Sequence, residues 1–411
     1  MTTANPASTR GAALYLALLQ FFFALGWTIY VIYLPQLTAQ VGIPKEFVVI
    51  ILIVDQAVFT VTDTLMGIAA DRMTRIAGQL SRFIIWLAAI SCIAFLAMPF
   101  TASMGTAGKP VLIGLIATWV VTSSALRAPP MALLGKVAAR PSTPWLFAIV
   151  MLGFGLAGAI SPYLGVALRG IDPRLPFAIS SLTLLATAFA MGGIERRLRS
   201  NDLNTALRVR LPIPSKRILL VIALIAGVLL LALGTQFHVA INSVPMFLRF
   251  AKQPDLEWLM PVYWIGFNIA MFPASFITRR VGGLFTIGVA GLLGAGALLV
   301  IGHSASLNTM IVMQFIAGGA WGCVLMSAIA LATALGHGGN EGRVLGLLFS
   351  ALALATVARL TAVAAGFTRD AVYNVMLQTA PVVCWILAGA AIFVLALARL
   401  RTRRGQTAVE Y

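Results

Sequence analysis

Runs of about twenty apolar residues recur from one end of the chain to the other, separated by short polar gaps. Each is long enough to cross a bilayer as a helix, and none alternates as a barrel strand would, so the pattern predicts membrane helices rather than a soluble core. We place them at roughly 12–38, 47–70, 80–101, 110–134, 144–167, 174–194, 217–248, 257–278, 282–303, 307–335, 341–366 and 375–400. Gly, Pro and charged clusters mark the breaks: Gly42-Ile43-Pro44-Lys45, Gly108-Lys109-Pro110, Asp172-Pro173-Arg174 and Gly336-His337-Gly338-Gly339-Asn340. The fold class is therefore all-α, a polytopic membrane protein of twelve transmembrane helices. The first run has no small-residue cleavage site and is too long for a signal-peptide core, so it is expected to stay as the first helix.

Composition agrees, with hydrophobic residues at 60% and charged residues at only 10%. A net charge of +17 would suggest nucleic acid in a soluble protein, but here the basic residues sit in the gaps between spans, and no nucleic-acid partner is expected. Twenty of the 29 lysines and arginines fall on one side of the predicted spans and seven on the other, with Arg127 and Arg359 inside spans. Positive residues collect in the cytoplasm, so both termini are expected there, in a multi-pass protein of a bacterial inner (plasma) membrane. Cys92, Cys323 and Cys384 each lie inside a span and are odd in number, which reads as apolar filling rather than a disulfide or metal set. No nucleotide loop, metal cluster or nucleophile motif stands out; neither an enzyme nor a bound cofactor is expected.

The one long polar connection, Glu195–Arg217, is basic and falls mid-chain. Ala24-Leu25-Gly26 recurs as Ala232-Leu233-Gly234, each followed by a proline, Pro35 and Pro245. We therefore divide the chain into a six-helix bundle at 11–194, a basic cytoplasmic linker at 195–216, a second six-helix bundle at 217–400 and a tail at 401–411.

Charges inside apolar runs are the first functional candidates, because lipid makes them costly unless paired or hydrated. Asp55 and Asp63 lie in the second predicted helix, Arg127 in the fourth and Arg359 in the eleventh. Counting helical rise puts Asp63 and Arg127 at one depth and Asp55 and Arg359 at another, nearer the outside. The first couple is expected to pair as a protonation-sensitive site.

The second helix ends in Gly67-Ile68-Ala69-Ala70-Asp71-Arg72-Met73-Thr74-Arg75. This Gly-x-x-x-Asp-Arg-x-x-Arg stretch resembles the loop between the second and third helices of major facilitator superfamily transporters, with Thr74 where the family usually has Gly. The resemblance implies two six-helix bundles working by alternating access. It also implies a cytoplasmic latch at Gly67, Asp71, Arg72 and Arg75, a role for Arg127 in proton coupling, and second and eleventh helices that face each other, so that Asp55 and Arg359 are expected to pair as an outer gate between the bundles. Gly158–Gly165 is similar to a Gly-Pro element of family antiporters, although Ser161 replaces the glycine before Pro162.

Helices one, four, seven and ten line the family's central cavity. Candidate substrate contacts are thus Trp27, Tyr30, Gln236, His238, Asn242, Asn268 and Trp321, some of which an interfacial aromatic belt would equally explain. The function implied is secondary active transport of a small organic solute. Proton-coupled export comes first, uptake by proton or cation symport is the alternative, and a transport-like sensor comes last, since only a short basic tail follows Leu400. The expected partners are the small-molecule substrate, the lipid bilayer and a coupling proton or cation, with the chain acting as a monomer.

Overall fold

A computed structural model describes residues 5–408, except 77, 139 and 199–211. Most of the predicted linker falls outside the described residues. The first bundle holds α1 (Pro6–Gln40), α2 (Glu46–Met73), α3 (Gln79–Ala97), α4 (Gly108–Ser123), α5 (Ala128–Val137), α6 (Thr143–Ala167), α7 (Arg174–Phe189) and the short α8 (Met191–Leu198). The second holds α9 (Ser215–Phe237), α10 (Ser243–Phe247), α11 (Leu256–Leu259), α12 (Pro261–Val281), α13 (Gly283–Gly302), α14 (Leu307–Leu335), α15 (Glu341–Ala364) and α16 (Ala371–Ala408).

Among the described residues, eleven stretches are long and apolar enough to cross a membrane, and the longest, Gln79–Val137, has 59 residues. A straight helix of that length would reach roughly 90 Å, about three times the ~30 Å hydrocarbon core. It is folded back instead. A 3₁₀ stretch, Met98–Ala107, contains Gly105 at φ 55°, a left-handed conformation that glycine adopts without a Cβ penalty, and α3 then packs along α4. Two passes result, which makes twelve. The turn lies slightly before the predicted break at Gly108-Lys109-Pro110.

Two predicted helices are interrupted where prolines remove backbone donors. The fourth pass breaks at Arg127 (φ −96°, ψ −88°), just ahead of Pro129 and Pro130. Pro130 has no N–H for the carbonyl of Leu126 four residues back, and Gln20 Nε2 from α1 donates to that oxygen instead, at 2.9 Å. The seventh pass widens into a π turn at His238–Asn242, ahead of Pro245.

In the first bundle α1 packs on α6 and α7, and α3 on α4 and α7. In the second, α14 packs on α12 and α13, while α16 packs on α9 and α13. The bundles meet along two antiparallel seams, α2 with α15 and α6 with α12. Large apolar side chains such as Trp86, Ile93, Leu182, Leu293 and Val394 point outward, as a lipid-facing surface requires. The α2–α15 seam is built on glycines. A Cβ at Gly67 would run into the Gly342 carbonyl, and one at Gly346 into the Asp63 carbonyl. Bare backbone on both sides lets the helices approach closely.

Candidate functional site at the seam between the bundles

The α2–α15 seam carries two charge clusters. In the middle, Asp63 of α2 has no exposed surface, and Arg127 Nη1 lies 2.7 Å from its Oδ2. The break in the fourth pass aims the guanidinium at this spot. Its Cζ sits 4.9 Å from the ring centre of Phe59 in the same bundle and 5.2 Å from that of Phe349 in the other, so two aromatic faces hold the cation. The ion pair is close but not linear: among the described residues neither Asp63 oxygen accepts a hydrogen bond of standard geometry. The carboxylate therefore keeps acceptor capacity beside its one cationic neighbour. Thr62 and Ser124 hydroxyls meet beside it at 2.6 Å, and Thr64 reaches Ser350 across the seam at 2.7 Å.

The second cluster closes one end of the seam. Asp71 accepts from the backbone N–H of Gly342 (Oδ1) and of Arg343 (Oδ2), both at 2.8 Å, and so caps the first turn of α15 from the opposite bundle. Lys136 Nζ at the end of α5 lies 2.9 Å from Asp71 and 3.9 Å from Glu341, and it donates to Thr74 Oγ1 at 2.6 Å. Glu341 in turn accepts from the N–H groups of Gly338 and Gly339. Of the loop-motif residues, Gly67 and Asp71 make this contact. Arg72 is exposed and Arg75 half-buried, with no ion pair for either among the described residues. Lys136 is the cation that meets Asp71. It and Glu341 were not singled out in the sequence, because each sits at a span boundary where charge is ordinary.

Asp55 and Arg359, anticipated as a second inter-bundle pair, do not meet in this structure. The Thr64–Ser350 contact fixes the register of the antiparallel helices, and nine residues along each from that contact stand Asp55 and Arg359, at the same level. Nine residues is about two and a half helical turns, so both side chains leave from the faces turned away from the seam. Asp55 accepts a 2.6 Å hydrogen bond from Tyr30 of α1 instead.

The anticipated substrate contacts do not form one constellation. Trp27 stacks on Trp119, and Tyr30 is buried against both. His238 Nε2 is 2.9 Å from Gln314 Oε1, and Asn242 donates to the Leu377 carbonyl, both within the second bundle. Asn268 lies at the α6–α12 seam, close against Gly155, with its Oδ1 buried and unpaired. Trp321 is buried beside Trp385. Gln236 is half-buried. Among the described residues no three His, Cys, Asp or Glu side chains gather to hold a metal ion.

Comparison with known proteins points one way. The family profile of the Major Facilitator Superfamily matches residues 16–358. The human organic anion transporter MFSD10 (TETRAN) has a similar structure, with a TM-score of 0.67 at 16% identity, covering 95% of this chain and 99% of that one. A bacterial homologue of the iron transporter ferroportin in its outward-facing state gives a TM-score of 0.72 at 13% identity, over 94% of this chain and 99% of that one. The same homologue with soaked iron gives 0.72 at 14% identity, over 93% and 98%. At such identities the likeness is one of fold. No curated sequence shows significant similarity.

Proposed function

Because the chain belongs to the major facilitator superfamily, we propose that it is a proton-coupled secondary transporter moving a small organic solute by alternating access of its two bundles. The observation that carries the reading is the Asp63–Arg127 pair, buried at 2.7 Å on the seam where the bundles touch. Protonating Asp63 cancels the attraction on Arg127, and the guanidinium already leans on Phe349 of the opposite bundle. A proton arriving at one bundle is thereby felt by the other. The Asp71–Lys136–Glu341 cluster acts as the latch that holds the seam shut at its own end. We take that end as cytoplasmic, in a bacterial inner membrane, on the strength of the basic residues gathered on that side. The same reading divides the chain into bundles at 11–194 and 217–400 joined by the basic linker 195–216.

The test is solute flux into proteoliposomes with and without an imposed pH gradient. The parent protein moves solute uphill only while a pH gradient is imposed, and solute running against the proton flow marks export by antiport, whereas solute running with it marks uptake by symport. Asp63→Asn abolishes gradient-driven accumulation while solute exchange at equal pH continues. Undiminished accumulation in that variant sinks the coupling role.

A further inference from the structure

Arg359 is a membrane-embedded charge without a counterpart among the described residues. Arg127 has Asp63 at 2.7 Å, Lys136 has Asp71 at 2.9 Å, and Asp55 takes the hydroxyl of Tyr30 at 2.6 Å. Among the described residues no carboxylate, carbonyl, hydroxyl or aromatic ring engages the Arg359 guanidinium. Its Nε is fully buried without a hydrogen-bond acceptor among the described residues, and the side chain as a whole is half-buried.

An arginine cannot relieve this by losing its proton. Nor does an acid of its own bundle pair with it among the described residues. Between Lys216 and the chain end the acids are Asp255, Glu257, Glu341, Asp370 and Glu410. Of these, Glu341 starts α15, and Arg359 stands eighteen residues on, ~27 Å away along the helix. Asp255 and Glu257 fall at the short α11, Asp370 precedes α16, and Glu410 follows it. The neighbours of Arg359 along its own face of α15 carry no charge: Ala355 and Thr356 stand one turn before, the Thr356 hydroxyl donating to the Leu352 carbonyl, and Ala362 and Val363 one turn after. The helix carries it turned away from Asp55, as the register at Thr64–Ser350 requires.

A half-buried cation with an unpaired planar fork is chemically suited to receive an anion. We infer that Arg359 binds the anionic group of the transported solute, a carboxylate, sulfonate or phosphate on an organic framework. This deepens the transport reading and takes its meaning from it. The solute's charge completes the pairing, and a planar guanidinium can offer an anion two parallel N–H···O bonds.

The full chain, purified in detergent, tests this by its thermal unfolding midpoint with five probes built on one ring: benzoate, benzenesulfonate, phenyl phosphate, phenyltrimethylammonium and benzyl alcohol. A ligand that binds the folded state raises the midpoint. At least one anion is expected to do so, and the cation and the alcohol are not. Arg359→Gln weakens that anion's binding by about tenfold or more, the loss expected of a charge-assisted hydrogen bond. Arg359→Lys keeps a weaker response, having the charge but not the fork. Without ligand, Arg359→Gln melts higher than the parent, because an uncompensated charge has gone. An anion response untouched in Arg359→Gln overturns the inference. So does stabilisation by the cation alone or by no anion, or a Gln variant that melts lower or fails to fold, since that would make Arg359 a structural residue. Anion binding that depends on Arg359, without gradient-driven flux in vesicles, would count against the transport reading and leave this site standing.

Discussion

Gln20 illustrates how far a single side chain can decide local structure in this fold. Pro130 opens the hydrogen-bond ladder, and the stranded Leu126 carbonyl is buried, so a donor has to come from elsewhere. Gln20→Leu removes that donor at nearly constant volume. It should cost about 1–3 kcal/mol, the usual penalty for a buried unsatisfied acceptor, and lower the melting midpoint of the purified protein by several degrees. An unchanged midpoint would show that the carbonyl finds another partner. The sequence made Asp63 and Arg127 conspicuous because membrane interiors punish charge, and it made Asp71 conspicuous through the loop motif that carries it. It did not distinguish Gln20, whose role depends on a proline break more than a hundred residues away. It did not distinguish Lys136 either, since a lysine at a span end is ordinary and only the fold brings it to Asp71.

At the level of elements, the apolar runs and their Gly and Pro punctuation were enough to place every pass, because a span in lipid must close its own hydrogen bonds and so has one available conformation. Where a pass breaks was less legible. Pro129-Pro130 was visible, but the displaced direction of Arg127 is a property of the folded backbone. Depth was readable at 1.5 Å per residue, whereas facing advances 100° per residue, and nine residues turn Asp55 and Arg359 away from each other at equal height. The glycine seam makes a prediction at this scale. Gly67→Val places a branched side chain against the Gly342 carbonyl, so α2 and α15 cannot seat. The variant should fold, since each bundle keeps its own core, but populate the arrangement in which the Asp71 end is parted. Spin labels on α2 and α15 near that end would read a distance several ångströms longer than in the parent; an unchanged distance would mean that the seam tolerates the widening.

For the whole molecule, halving the chain into two bundles was legible from twelve runs, a central basic stretch and a weak repeat, and the loop motif pointed to a latch at Gly67 and Asp71, whereas the partners that Asp71 finds across the seam were not legible. That contact has an unusual property: one bundle supplies the carboxylate and the other supplies a helix end that needs it. The amides of Gly342 and Arg343 belong to the first turn of α15, where no carbonyl of their own helix can accept from them. Asp71 therefore completes α15 only while the bundles are together. When they part, the first turn of α15 must find water or fray, so opening at this end is coupled to local melting of a helix. Deuterium uptake at those two amides becomes a gauge of how often the carrier opens. Uptake there should be slow in the parent and markedly faster in Asp71→Ala, with the middle of α15 unaffected. Equal uptake in the two proteins would mean that the helix end does not depend on its distant cap.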